Sequence, residues 1–152
     1  MLIAVGIFAA SSVPARGLPP PVLFPGQDKA IHLVVYAAFG WACARALRLR
    51  SHPGMKTPVH KAVAAGAGPA VREAVSGTFA SPVGRAAVAT AMALGFGITD
   101  EFHQSFVPGR AVELLDGVAD LVGGFLGAVA YEQRARRGRG QNGSGNDGTL
   151  IT

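Results

Sequence analysis

The sequence predicts an all-α integral membrane protein, a four-helix bundle, and three observations lead to this fold class. Of the 152 residues, 49% are hydrophobic and only 15% are charged, and the mean hydropathy is positive at +0.33. The apolar residues form long runs instead of the periodic patterns of amphipathic helices or half-buried strands. The basic residues fall mainly in two segments that separate these runs, seven of the fourteen between Arg45 and Arg85 and four more between Arg134 and Arg139. This distribution is typical of membrane topology.

The first apolar run covers residues 1–13, which is short for a span because a helix needs about 20 residues to cross the hydrocarbon layer. We predict a first transmembrane helix that is short or truncated at its start. The alternative is a signal peptide, which is disfavoured because the run lacks a positively charged N-terminal region. A proline-rich loop, residues 16–27, follows.

Three longer apolar runs predict helices over residues 30–49, 80–103 and 114–131. Asp28 is expected to be the N-cap of the first of these, and Arg85 is expected to snorkel from the second. Residues 51–85 are predicted to form a basic cytoplasmic connection, with a short amphipathic helix near residues 58–75. The transmembrane domain thus covers residues 1–133, and residues 134–152 are predicted to be a basic, disordered cytoplasmic tail.

The positive-inside rule gives the orientation of this multi-pass protein in the cell membrane. Alternating spans place both basic segments on one side, so the N-terminus and the C-terminus are expected to be cytoplasmic. The basic residues are not interleaved with aromatic residues, which argues against a nucleic-acid partner and leaves the lipid bilayer as the expected surroundings. The single cysteine, Cys43, excludes an intramolecular disulfide framework.

Polar side chains collect at the end of each long run that is predicted to face outward. They lie at helical spacing, so that each of three helices brings a polar stripe to the same depth. Such groups are costly beside a bilayer, and their default interpretation is functional. The sequence therefore predicts an outward-facing polar pocket. Its ligand-binding residues are Asp28, His32, Asp100, Glu101, His103, Gln104, Arg110, Asp116 and Asp120, with Tyr36 one turn deeper than His32.

Several of these residues also have a structural interpretation. Asp28 and Asp116 are suited to cap helices, and Arg110 either pairs with Glu101 or Glu113 or presents a fork to a phosphate or carboxylate. Asp120 lies deepest, so it must be protonated or paired. His32 and His103 are its candidate partners. Gly123 and Gly127 form a face of small residues that permits close helix packing.

The chemistry of the pocket is left open at this point. The histidines and carboxylates satisfy the ligand inventory of a divalent metal, but their spacing matches no known zinc motif, so no metal or other cofactor is predicted. A Ser/His/Asp arrangement is disfavoured because Ser105 adjoins no nucleophile-elbow glycines. If the protein is an enzyme, His103 with Asp100 or Glu101 would act as general acid and base.

The ordered motifs resemble those of the VanZ-like membrane protein family over most of residues 1–131. The resemblance rests on these motifs: Asp28-Lys29-x-x-His32-x-x-x-Tyr36, Asp100-Glu101-x-His103-Gln104, Pro108-Gly109-Arg110, and Asp116 with Gly123 and Gly127. Ser11-Ser12 before the proline-rich loop also looks like the end of that family's first helix. The chain departs from the family at Asp120, where asparagine is usual, and in its longer 51–85 loop. The resemblance implies a small multi-helix membrane fold and a kinship with an accessory protein of teicoplanin resistance, and it implies no particular reaction.

Three functional hypotheses follow from the pocket. The first is a binding or accessory role at the cell envelope, in which the pocket recognises a polar head group or a lipid-linked cell-wall precursor, and Arg110 and Lys29 meet anionic groups. The second is a membrane-edge hydrolase or transferase that acts on a lipid-linked substrate. In the third, the polar stripes only hold the bundle together, and the protein serves a membrane-protein partner or a homo-oligomer.

Overall fold

The computed structural model describes residues 2–14, 24, 26–50 and 68–143, and this part of the chain contains helices and no strand. The all-α class is thereby confirmed. The helices are α1 (Leu2–Ser11), α2 (Gln27–Arg50), α3 (Pro69–Ala80), α4 (Pro82–Gln104) and α5 (Leu114–Gly143). Three of them, α2, α4 and residues 114–139 of α5, are long and apolar enough to cross a membrane. They pack on one another, and α1 lies against α2 and α4.

Helix α2 begins earlier than the sequence suggested. Gly26 has a φ of 83°, a left-handed conformation that glycine adopts without strain, and its carbonyl accepts from the Ala30 N–H at 3.1 Å. The helix therefore starts at Gln27, and Asp28 lies within its first turn. The expectation that Asp28 is the N-cap is wrong, and its carboxylate contacts Lys29 instead.

A single residue, Ser81, separates α3 from α4. It lies at the start of the segment, residues 80–103, for which the sequence predicted one continuous helix. Its extended backbone ends α3, and its Oγ accepts from the Gly84 N–H at 2.8 Å, which caps α4. Pro82 occupies the first turn of α4, where a missing N–H costs nothing. The amphipathic helix expected near residues 58–75 lies largely outside the described residues, and the helix observed here begins at Pro69.

Helix α5 continues to Gly143, so the prediction of disorder from Arg134 onward is wrong for residues 134–143. The helix is held beyond the predicted span because α2 reaches it there. Arg48 Nη2 donates to the Ala135 carbonyl at 3.4 Å, and Arg48 Nη1 lies 3.3 Å from Glu132 Oε2. The remaining tail, residues 144–152, lies outside the described residues.

Small residues allow α2 and α5 to approach closely. A Cβ on Gly123 would meet the Leu33 carbonyl, and one on Gly127 would meet the Ala37 carbonyl. Gly40 of α2 makes the reciprocal approach to the backbone of α5. The packing role expected of Gly123 and Gly127 is confirmed. The core between the three long helices is correspondingly built from alanines and Cys43 with a few aromatic rings around them.

Arg85 is buried at the end of the bundle that contains the start of α4 and the C-terminal parts of α2 and α5. The expectation that its side chain snorkels is wrong. Its guanidinium makes a bidentate fork with Glu132, with Nε–Oε1 and Nη2–Oε2 distances of 2.8 Å. Its Nη1 donates to the carbonyls of Phe79 and Ala80 at the end of α3. The charge remains inside because four of the five N–H groups have an acceptor and Glu132 supplies the counter-charge, which is the condition for a tolerated buried ion pair.

Candidate functional site

The polar stripes of α2, α4 and α5 meet at the opposite end of the bundle from Arg85. This end contains the start of α2, the end of α4 and the start of α5, so the nine predicted site residues lie on or beside three neighbouring helix ends. Five of them are nearly inaccessible to solvent: Asp120 is fully buried, and the other four are at most 8% exposed, namely Asp100, Glu101, Gln104 and Asp116. Burial of five polar side chains in one place requires hydrogen-bond partners.

The deepest acid, Asp120, is paired with His32. The distance from His32 Nδ1 to Asp120 Oδ1 is 2.9 Å, so the predicted partnership of these two residues is confirmed. The carboxylate also packs directly against α4, since a Cβ on Gly97 would lie 2.8 Å from Asp120 Oδ2. Gly97 therefore provides the space that Asp120 occupies, and no larger residue fits there without moving the carboxylate.

Several buried oxygen atoms at this end have no hydrogen-bond partner. The phenolic oxygen of Tyr36, Oδ1 of Asp100 and Oδ2 of Asp120 are unpartnered and come from three different helices. Tyr36 is 1% exposed, and its hydroxyl interacts electrostatically with both aspartates, which places the three groups together. We call Tyr36, Asp100, Asp120 and the adjoining His32 the inner site. It presents carboxylate oxygens to a buried space, and the Tyr36 hydroxyl, which is close enough to Asp120 to interact with it, makes no hydrogen bond of good geometry there.

The short helix α1 holds one side of the inner site. Ser11 Oγ lies 2.8 Å from Asp100 Oδ2, and Gln104 Nε2 donates to the same oxygen at 3.0 Å. The Ser11 hydroxyl has a single proton, which the Ile7 carbonyl at 2.8 Å and Asp100 Oδ2 both accept in turn, so Gln104 is the constant donor to this carboxylate oxygen. The contact between Ser11 and Asp100 links α1 to α4, and Asp100 Oδ1 is left without a partner.

His103 lies at the rim and not in the inner site. Its Nε2 is 3.0 Å from Ser12 Oγ, and its ring packs on Phe8 with centroids 4.3 Å apart. Ser12 also donates its single proton to the Phe8 carbonyl at 2.7 Å, so His103 must donate to Ser12. In this arrangement His103 does not remove the Ser12 proton. In the described part of the chain no hydrogen bond joins His103 to Asp100 or Glu101.

A second polar group lies above the inner site, around Lys29. The Lys29 Nζ is 2.6 Å from Asp28 Oδ2, 2.6 Å from Glu113 Oε2 and 2.9 Å from Asp116 Oδ1. We call Asp28, Lys29, Glu113 and Asp116 the outer cluster. These three contacts engage the Lys29 ammonium fully with carboxylates. The carboxylate oxygens lie within 4.8 Å of one another, a spacing that a metal ion would also produce.

Glu101 lies between the two groups. Its side chain is 8% exposed, and neither carboxylate oxygen makes a hydrogen bond of good geometry, although the Glu113 backbone N–H is close enough to interact with the carboxylate. It interacts electrostatically with Asp116 of the outer cluster and with His32 and Asp120 of the inner site. The alternative in which Arg110 pairs with Glu101 is not found in the structure.

Arg110 instead secures α1. Its Nη2 donates to the Ala10 carbonyl at 3.1 Å and its Nε to the Val13 carbonyl at 3.2 Å. The Ala10 carbonyl lies in the last turn of α1 and that of Val13 just after the helix, where free acceptors favour a cation. Arg110 thus acts on the inner site through α1, which carries Ser11 and Ser12.

Sequence reasoning missed the two serines as site residues. Ser11 and Ser12 are 89 and 91 residues away from their partners Asp100 and His103, so no local spacing connects them. The sequence signal that could have identified them is that two hydroxyl side chains, Ser11 and Ser12, end an otherwise apolar helix. The place of Glu113 in the outer cluster was also missed, because it precedes α5 and belongs to no helical stripe.

The fold and the site together define the class of this chain. It is a small all-α protein with three helices long enough to cross a membrane and a cluster of buried acidic groups where those helices meet. Comparison with protein-family models, with curated proteins and with solved structures finds no match to the chain in any of the three.

Proposed function

We propose that this chain is a VanZ-like membrane protein that serves a binding or accessory role at the cell envelope, and that its inner site holds a polar group rich in hydrogen-bond donors. The observation that carries the proposal is the set of unpartnered, buried oxygens on Tyr36, Asp100 and Asp120. Leaving a buried polar group unsatisfied costs about 1–3 kcal/mol for each group. A ligand that donates hydrogen bonds recovers this free energy.

The charges at the site determine which ligand chemistry is favoured. The acids outnumber the cations here, and Lys29 and Arg110 are engaged by carboxylates and by backbone carbonyls. An anionic group, which the sequence alone suggested for these two residues, would meet unpartnered carboxylates in the inner site. Hydroxyl, amide and ammonium groups would instead complete the hydrogen bonds. Lipid-linked cell-wall precursors and amino-bearing head groups carry such donors.

Native mass spectrometry of the detergent-purified protein tests this proposal. We expect a co-purifying lipid or glycolipid on the wild type and a reduced bound fraction on Asp100→Asn, in which an amide replaces an acceptor oxygen. Glu73→Gln makes a comparable change on the exposed surface of α3 and should retain the ligand. Equal bound fractions in all three proteins would exclude the inner site as the binding site.

A second function, hydrolysis or transfer on a lipid-linked substrate, draws its support from the 3.0 Å contact between Ser12 and His103. Catalysis by this pair requires the Ser12 hydroxyl to leave the Phe8 carbonyl so that His103 accepts its proton. A serine-directed fluorophosphonate would then label the wild type and fail to label Ser12→Ala, whereas Ser105→Ala should be labelled like the wild type. Absence of label from the folded wild type would exclude the serine mechanism.

A further inference from the structure

Asp100 is a buried carboxylate that makes no ion pair within the described part of the chain. It is 3% exposed, and the two side chains that contact its Oδ2, Ser11 and Gln104, are both neutral. Its Oδ1 has no hydrogen-bond partner. Burial of a carboxylate is unfavourable unless a positive charge and hydrogen-bond donors compensate for the lost water. Asp100 therefore lacks both a counter-charge and a donor to Oδ1.

The unpartnered oxygens of Asp100, Asp120 and Tyr36 lie beside the same turn of α4. Gly97 and Asp100 are three residues apart and share a face of this helix, and a Cβ on Gly97 would lie 2.8 Å from Asp120 Oδ2. The ring centroid of Tyr36 lies 6.4 Å from that of Phe96, the neighbour of Gly97. The Tyr36 hydroxyl also interacts electrostatically with both aspartates. Each of α2, α4 and α5 thus brings one unpartnered oxygen to this turn.

The charged groups of the inner site do not balance. Asp100 and Asp120 are both acids, and His32 is the one basic side chain, among the described residues, that is hydrogen-bonded to either of them. The nearby cations are bound to other groups, Lys29 to carboxylates and Arg110 to backbone carbonyls. A hydroxyl or amide ligand would complete the hydrogen bonds and leave the excess negative charge. A cation that carries N–H donors would do both.

We propose that the inner site binds a primary ammonium group, with Asp100 Oδ1, Asp120 Oδ2 and the Tyr36 hydroxyl oxygen as its acceptors. An alkylammonium carries one positive charge and three N–H donors, and the inner site has three unpartnered oxygens. Hydrogen bonds between an ammonium and a carboxylate are charge-assisted and therefore stronger than those of a neutral donor. The ammonium occupies the ligand site of the proposed function, on which this inference rests. An aminophospholipid head group and an amine without phosphate both supply this chemistry.

Native mass spectrometry of the delipidated, detergent-purified full chain tests this proposal with two pairs of added ligands. Phosphatidylethanolamine and phosphatidylcholine with the same acyl chains differ in whether the head-group nitrogen carries N–H donors or methyl groups. Dodecylamine and dodecanol differ in positive charge. We expect the wild type to bind the primary amine at least about tenfold more tightly than its counterpart, because hydrogen bonds to charged groups are lost in the counterpart. Preference in the phospholipid pair alone identifies a head group as the source, and preference for dodecylamine alone identifies an amine without phosphate.

Equal binding within both pairs would overturn the ammonium proposal, and this comparison on the wild type needs no variant. Asp100→Asn keeps an acceptor for Gln104 and replaces the unpartnered oxygen with an amide donor, so this variant should lose the preference for amines. Glu73→Gln, on the exposed surface of α3, should retain it. A preference that persists in Asp100→Asn would place the ammonium elsewhere and would also overturn the proposal.

Failure of this proposal can be distinguished from failure of the proposed function. If the wild type shows no preference for amines and Asp100→Asn still lowers the bound fraction of the co-purified lipid, the inner site binds a neutral donor and only the ammonium is excluded. If, in addition, the wild type and Asp100→Asn retain equal fractions of the co-purified lipid, the inner site is excluded as the ligand site and both proposals fail.

Discussion

Removal of the Tyr36 hydroxyl tests most directly whether the inner site is a ligand site. Tyr36 is 1% exposed, and its hydroxyl has no hydrogen-bond partner. Its ring is held by packing that a phenylalanine would keep, stacked with His32 at 6.2 Å and against Phe39 and Phe96 at 6.2 and 6.4 Å. Tyr36→Phe therefore deletes an unsatisfied polar atom and leaves the ring contacts in place.

We expect this substitution to stabilise the ligand-free protein. An unsatisfied buried group costs about 1–3 kcal/mol, and a hydroxyl is at the lower end of that range, so the free energy of unfolding should rise by about 1 kcal/mol. For a chain of this size that corresponds to a rise in melting temperature of roughly 2–4 °C. Ligand binding should change in the opposite direction, because one hydrogen bond of about 0.5–1.5 kcal/mol is lost, which weakens affinity by roughly twofold to tenfold.

The assay is thermal unfolding of the delipidated protein together with native mass spectrometry of the protein as purified. Tyr131→Phe is the matched control, because Tyr131 packs edge-on against Trp41 far from the inner site. A lower melting temperature with an unchanged bound ligand would refute the reasoning. That result would show that the Tyr36 hydroxyl donates to Asp120 in the folded protein and has a structural role.

Three further substitutions have expected outcomes that the structure sets. Gly97→Ala should lower the free energy of unfolding by about 1–3 kcal/mol, because the added Cβ would lie 2.8 Å from Asp120 Oδ2. The control is Gly95→Ala, whose Cβ meets no atom within 4 Å, and it should be neutral or stabilising in the same thermal unfolding assay. Glu132→Gln should lower the free energy of unfolding by about 3–5 kcal/mol, measured by thermal unfolding, because it leaves Arg85 buried without its counter-charge. Equal melting temperatures of this variant and the wild type would contradict the role of the ion pair. Arg110→Ala should loosen the contact of α1 with the bundle, measured as faster hydrogen exchange over residues 2–11, and should thereby weaken ligand binding. Unchanged hydrogen exchange would contradict the role of the Arg110 contacts.

The sequence predicts those parts of the fold that depend on local patterns. Runs of apolar residues located the three long helices, and the spacing of Asp116 and Asp120 placed both acids on one face of α5. The requirement that a deep acid has a partner predicted that Asp120 pairs with His32 or His103, and the structure confirms His32. In each case the information lies within one helix or follows from the cost of burying a charge.

Contacts between distant segments could not be predicted in this way. Glu132 follows Arg85 by 47 residues, and its place as the partner depends on the crossing of α4 and α5. Arg110 had three possible partners by charge, yet it binds backbone carbonyls of α1, which carry no sequence signature. The start of α2 depended on a positive φ at Gly26, which a sequence does not reveal beyond the presence of glycine.

The two ends of the bundle differ in how completely their buried polar groups are hydrogen-bonded. Arg85 and Glu132 are as deeply buried as the acids at the other end, and their charged atoms are matched by partners in α3, α4 and α5. At the opposite end, Tyr36, Asp100 and Asp120 keep oxygens without partners of good geometry. A bundle that needed polar groups only to hold its helices together would satisfy both ends, since every unsatisfied group reduces stability. Among the residues that the structure describes, unsatisfied groups lie at one end alone, and this difference supports the proposal of a ligand at that end.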